Sequence, residues 1–253
     1  MKAWLAVCKS YSPTHRANPP AVWAAVLVLL AASSGCKLAA DSKNLQGVSF
    51  YKQGQYDAAM QQFQKAVATD PQNADGYYNM AATMHRAGVA RNDRAMLNQA
   101  EATYNQCLDR SPDHEDCHRG LAVLLTETGR SDRAFNLMKN WVARSPKNSD
   151  ARIELARLYE EFGDAETAKA QLTEAVQLDQ RNSRAWNALA RLREQSGDYV
   201  QALANYQRSL DVNRFQPDVS ERVAALNRTV SGGFAPGKPG DTRMVNSGVP
   251  TSR

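Results

Sequence analysis

Residues 149–182 read SDARIELARLYEEFGDAETAKAQLTEAVQLDQRN, and residues 183–216 read SRAWNALARLREQSGDYVQALANYQRSLDVNRFQ. Aligned at a shift of 34, the two stretches superpose Ala156 on Ala190, Gly163 on Gly197 and Ala168 on Ala202. Ile153, Leu155, Ala156, Leu158 and Tyr159 form an apolar run with the 3.6-residue period of a helix. Gly163 breaks the run, because the residue past a helix end often needs positive φ. A second helix opens near Asp164 with Ala168, Leu172, Ala175 and Val176 on one side. The unit is a helix, a turn and a helix.

Outward from this pair, Gly54, Gly88, Gly129, Gly163 and Gly197 are spaced 34, 41, 34 and 34. Ala59, Ala100, Ala134, Ala168 and Ala202 follow at 41, 34, 34 and 34, and Gly47, Ala81, Ala122, Ala156 and Ala190 at 34, 41, 34 and 34. Three small-residue series share one period and one seven-residue insertion, the signature of a repeat architecture.

The chain resembles the tetratricopeptide repeat family over residues 40–216, as five consecutive repeats. Gly47, Phe50, Gly54, Tyr56, Ala59, Phe63, Ala66 and Pro71 carry the pattern in the first, and Trp186, Leu189, Ala190, Gly197, Tyr199, Ala202 and Tyr206 in the fifth. The closing proline recurs as Pro112 and Pro146 but is Gln180 and Arg214 in the last two repeats, so those connections are expected to be less rigid. The resemblance implies an all-α, right-handed α-solenoid in which Phe63, Tyr104, Met138, Leu172 and Tyr206 fill the space between repeats. Residues 217–230 place Val219, Val223, Leu226 and Val230 on one stripe, with Asp218 and Glu221 spaced as a capping box, and read as a capping helix. Residues 231–253, with eight Gly or Pro, read as a disordered tail.

The insertion lies near residues 89–97. Asn92 or Asp93 is positioned to cap a second helix lengthened by a turn, with Met96, Ala100 and Tyr104 on one stripe; a protruding loop and a neutral insertion are both open readings.

Residues 1–35 read as a signal peptide. They carry Lys2, Lys9 and Arg16 and no acid, followed by twelve apolar residues from Ala21 to Ala32 and the small residues Ser33, Ser34 and Gly35. Twelve helical residues reach about 18 Å, short of the ~30 Å hydrocarbon core. The stretch into Cys36 resembles the lipobox of bacterial lipoproteins, which implies lipidation of Cys36 and a lipid anchor to the membrane. Ser33 stands where that pattern has Leu, which leaves cleavage after Ser34 without lipidation as the alternative. Lys37 after the cysteine implies the outer membrane, with residues 36–39 a short linker and the body on the periplasmic side of the envelope.

The composition is ordinary for a globular chain, 43% hydrophobic and 23% charged. The net charge of +5 sits in the termini: residues 36–230 hold 25 basic and 25 acidic side chains. A neutral body provides no field for phosphate backbones, so no nucleic-acid partner is expected. Nor is an enzyme: Glu160 and Glu161 are adjacent on a helix and point apart, the glycines are used in turns, and no stretch remains for a catalytic domain. No cofactor and no small-molecule substrate follow from any motif.

The resemblance places Tyr51, Lys52, Tyr78, His85, Arg86, Arg119, Glu127, Arg157, Glu161, Asn187, Arg191 and Glu194 on the concave face, where a protein or peptide partner binds. The i, i+4, i+7 spacing of Tyr78, Ala82 and His85 independently puts these three on one stripe. The carboxylate clamp of cytosolic cochaperones is absent, since Val48 and Gly120 stand where Asn and Arg are required, although Asn79 suits one site. Cys107, His114, Cys117 and His118 invite a metal reading, but His114 falls in a turn and His118 occupies the core site of Tyr77 and Trp186, so no metal is expected. Antiparallel helices bring Cys107 and Cys117 near each other, as a disulfide or as two unpaired core thiols.

The function expected is a non-enzymatic protein–protein interaction scaffold in the cell envelope, assisting assembly of a pilus or secretion complex. The alternatives are an accessory subunit of an envelope peptidoglycan or polysaccharide enzyme and, without a signal peptide, a cytosolic cochaperone.

Overall fold

The computed structural model describes residues 37–232, and the expected signal peptide over residues 1–35, Cys36 and the expected tail beyond Gly232 lie outside them. The described residues form eleven helices and no strand. These are α1 (37–52), α2 (Tyr56–Thr69), α3 (Ala74–Arg91), α4 (Arg94–Arg110), α5 (Glu115–Glu127) and α6 (Ser131–Arg144). They continue with α7 (Ser149–Glu161), α8 (Ala165–Leu178), α9 (Ser183–Gln195), α10 (Tyr199–Val212) and α11 (Pro217–Gly232). None is long and apolar enough to cross a membrane. The chain divides into two compact units, one ending at Cys117 and the other beginning at His118.

The small-residue series explains the packing. Ala59, Ala100, Ala134, Ala168 and Ala202 are fully buried, as are Ala81, Ala122 and Ala190, with Ala156 nearly so. Small side chains there let paired helices approach, and Phe63, Tyr104, Met138, Leu172 and Tyr206 are buried beside them. Between α7 and α8, Gly163 has φ +82°, a conformation that costs residues with a Cβ about 1–2 kcal/mol. The same register position holds Gly54, Gly129 and Gly197, each also at positive φ.

The insertion lengthens the second helix by about a turn behind an Asp93 cap, as expected, and lengthens the first helix as well. No loop protrudes: α3 has 18 residues where α5, α7 and α9 have 13, and α4 has 17 where its counterparts have 14. Seven residues are about two helical turns, so adding about one turn to each helix keeps both apolar stripes in phase. Gly88 is consequently inside α3 and buried against Leu97, not in the turn. Asn92 makes the turn instead, at φ 51°, and Asp93 caps α4 by accepting from the Met96 N–H at 3.0 Å.

Two boundaries also move. Residues 37–39 of the expected linker are the first turn of α1, since Lys37, Leu38 and Ala39 are good helix formers and no proline interrupts the run before Gly54. The last helix begins at Pro217, whose fixed φ suits a first helical position. Asp218 is therefore inside its first turn rather than at the cap of a capping box, and the helix runs to Gly232. Its stripe closes unit 2: Leu226 is buried with Ala190, Ala202 and Tyr206, and Val219 and Val223 pack beside it.

Candidate functional site

A groove of about 450 Å³ opens in unit 2. Its lining repeats the sequence period. Arg119, Ile153 and Asn187 occupy one register position on α5, α7 and α9. Glu154 and Ala188, Arg157 and Arg191, and Leu172 and Tyr206 are likewise each 34 apart. Arg184 and Val219 complete the wall. Equivalent positions of successive repeats face one side of the helix row, so the period itself assembles the site.

Glu154 is the floor of this groove and only 1% exposed. Three arginines hold it. Arg119 donates from Nε to Oε2 at 3.0 Å and from Nη2 to Oε1 at 2.6 Å. Arg157 Nε donates to Oε2 at 3.2 Å, and Arg184 Nη2 to Oε1 at 3.0 Å. Burial alone pushes the Glu154 carboxyl up, but the hydrogen bonds and charges of Arg119 and Arg157 outweigh it and hold it below the usual glutamate range.

The outer edges of the arginines meet rim acids. Arg191 donates to Glu160 at 2.7 Å, Arg157 to Glu161 at 3.3 Å, and Arg184 pairs with Asp150 at 3.5 Å. Asn187 donates through Nδ2 to Gln216, which in turn donates to the Ser209 and Asn213 carbonyls. The Nη2 of Arg157 and the Oδ1 of Asn187 are buried and have no partner within the protein. Glu194 accepts from the Tyr206 hydroxyl at 3.1 Å and from Arg222 Nε at 2.9 Å. Burial, and then the Glu194 charge, push the Tyr206 hydroxyl up to about 12.

Of the residues expected on the concave face, Arg119, Arg157, Asn187 and Arg191 line this groove. Glu161 and Glu194 hold lining residues from outside it, and Glu127 is exposed and not in the lining. Sequence reasoning missed Glu154 and Arg184. The signal was available for Glu154: a carboxylate stands at the register position that Gly120 and Ala188 hold in the neighbouring repeats.

In unit 1, Tyr78 and His85 share one stripe of α3, their rings 6.4 and 6.2 Å from that of Tyr104. Tyr51 packs near Tyr56 at 5.7 Å, and Lys52 and Arg86 are exposed.

Cys107 and Cys117 form a disulfide, with Cα atoms 6.5 Å apart, tying the end of α4 to the first turn of α5. His114 lies beside them, its ligand atom within 4.8 Å of theirs. The donor set does not fit a metal. His114 occupies the register position of Asn73, Asn148 and Asn182, which cap α3, α7 and α9. Its Nδ1 accepts the Cys117 N–H at 3.2 Å and its Nε2 meets Asp75 at 2.9 Å. With both nitrogens engaged and the sulfurs bonded to each other, neither a free imidazole nitrogen nor a thiolate is left for a cation.

Three family models match the chain: one described as TPR repeat over residues 47–88, and two as tetratricopeptide repeat over 125–192 and 185–218. Among solved structures, the fold is similar to TTC0263, a thermophilic TPR protein of Thermus thermophilus. The identity is 24% and the TM-score 0.55, over 75% of this chain and 99% of that one. It is also similar to yeast Tom70, at 19% identity and a TM-score of 0.60, over 79% of this chain and 42% of that one. No curated protein gives a significant match.

Proposed function

We propose that this chain, which belongs to the tetratricopeptide repeat family, is an exported scaffold of the bacterial cell envelope that holds a protein segment in the groove of unit 2. The family supports a protein-interaction role. The observation that carries the site is the convergence of register-equivalent positions from α5, α7 and α9 on one groove. The envelope part of the proposal rests on the charged, acid-free first segment, its twelve-residue apolar run and the small residues before Cys36. Lipid on Cys36 then anchors the protein to the outer membrane, with the repeats on the periplasmic side, where they serve assembly of a pilus or secretion complex.

Fractionation of cells producing the wild type and Cys36→Ser tests the address. The wild type is expected in the outer membrane and the variant released from it; wild-type protein soluble in the cytosol overturns export. A photo-crosslinking residue at Ala188 in the groove, against one at exposed Lys139, tests the role. Crosslinks from 188 alone to a pilus or secretion component support it, and crosslinks to a glycan synthase replace it with the accessory-subunit reading.

A further inference from the structure

We infer, resting on the groove assigned above, that its occupant is an extended acidic segment of a partner protein with an apolar side chain set between its carboxylates. Four guanidiniums line the groove, and the single carboxylate among the lining residues, Glu154, is buried beneath them. A partner therefore meets cations at the surface. Asp150, Glu160 and Glu161, which hold the outer edges of Arg184, Arg191 and Arg157, stand outside the lining. Those pairs are partly exposed, and exposed pairs contribute little, so a partner's carboxylates replace rim acids at small cost. Arginine forks donate bidentately to carboxylates, and Glu154 fixes the planes of three of them as a positioning residue.

The apolar requirement comes from the floor. Ile153, Leu172, Ala188 and Val219 line the same volume as the arginines, which has room for a leucine-sized side chain. The unmet Arg157 Nη2 donor and Asn187 Oδ1 acceptor match the carbonyl and N–H of a peptide group, the two polar groups that any extended segment brings. A nucleic acid is the poorer fit. Its continuous phosphates meet the three rim acids, and residues 36–230 carry no net charge to draw it in.

Fluorescence anisotropy on the full-length protein tests this with labelled peptides DEDLEDE, NQNLQNQ and DEDSEDE, and a labelled single-stranded oligouridylate. DEDLEDE is expected to bind about tenfold more tightly than NQNLQNQ at low salt, and to weaken as salt rises. DEDSEDE should bind more weakly than DEDLEDE. Arg191→Glu, at a half-exposed side chain outside the Glu154 hub, should cost about tenfold in DEDLEDE affinity with an unchanged circular dichroism spectrum. Equal binding of DEDLEDE and NQNLQNQ, both weakened by Arg191→Glu, overturns the acidic occupant and leaves the groove standing. Equal binding of DEDSEDE overturns the apolar requirement. Peptide binding indifferent to Arg191→Glu overturns the groove itself, and no binding of any peptide overturns this inference. Oligouridylate binding more tightly than DEDLEDE, and lost in Arg191→Glu, makes nucleic acid the occupant instead.

Discussion

His114 Nε2 lies 2.9 Å from Asp75 Oδ1, joining the first turn of one helix to the cap of the next first helix in sequence. Asn182, at the same register position, does the same: it caps α9 through Oδ1 while its Nδ2 donates to Asp150 at 2.9 Å. The imidazole thus imitates an asparagine, Nδ1 standing for Oδ1 and Nε2–H for the amide N–H. His114→Asn is expected to leave stability nearly unchanged, whereas His114→Ala should cost about 1 kcal/mol through the lost cap. Urea denaturation decides it. Equal midpoints for His114→Ala and the wild type would show that the imidazole caps nothing.

Gly47→Ala puts two effects in opposition. Replacing a mid-helix glycine by alanine gains roughly 1 kcal/mol of helix propensity. A Cβ at Gly47, however, would stand 2.5–2.9 Å from three ring carbons of Phe63, which is 1% exposed and cannot swing into water. Overpacking of this kind costs about 1–3 kcal/mol, so the net change is expected to be destabilising. Thermal melts of the two proteins test the sign, and a raised melting temperature would mean that the ring yields.

Which features were readable in the sequence follows from what repeats and what does not. The helix pairs were legible because Ala59, Ala100, Ala134, Ala168 and Ala202 must all be small for the same contact, and five copies of one constraint leave a visible period. The insertion misled because it preserves helical phase. Seven residues add about two turns without moving an apolar stripe, so Gly88 keeps its place in the glycine series while losing its role to Asn92. Arg119, Arg157, Asn187 and Arg191 were legible through the family resemblance, whereas Glu154 was marked only as a carboxylate where its register has Gly120 and Ala188. Its meaning comes from arginines 35 residues before, 3 after and 30 after it, a pattern that only stacked helices bring together.

Glu154 also gives the fold an acid limit. Its carboxyl is held below the usual range, so its contribution to stability is fully present above the ordinary glutamate value and is lost as pH falls through the lowered one. At neutral pH, Glu154→Gln should cost about 3 kcal/mol, the lower end for a broken buried pair because its arginines are partly exposed. Below the ordinary glutamate range the gap between variant and wild type should narrow. Denaturation midpoints measured from neutral pH downward test this, and a constant gap would rule out the ion pairs as its source.

Leu226 is the one buried residue of α11, set against Ala190, Ala202 and Tyr206. Leu226→Ala should cost about 2 kcal/mol, the low end for a buried leucine because the site lies at the end of the helix row and can relax. Calorimetry checks the magnitude. A change too small to measure would mean that α11 does not cap unit 2.

The disulfide joins two positions that most other repeats fill with small residues. Cys107 shares its register with Ala66, Ala175 and Ser209, and with the buried Trp141 of the third repeat, and Cys117 shares its own with Gly76, Ala151 and Ala185. An Ala175–Ala185 pairing is therefore already built into the chain, and both of its members are fully buried. The variant with Cys107→Ala and Cys117→Ala should accordingly fold, losing the cross-link rather than the packing. Closure of a ten-residue loop gives an entropic stabilisation of roughly 2–3 kcal/mol. Both sulfurs belong to fully buried residues, so reductant should act slowly under native conditions and quickly once the protein is partly unfolded. Urea melts with and without a dithiol reductant should differ by that amount for the wild type and coincide for the double variant. Alkylation of both cysteines in denatured, unreduced protein taken directly from the producing cells would show instead that the thiols are free there.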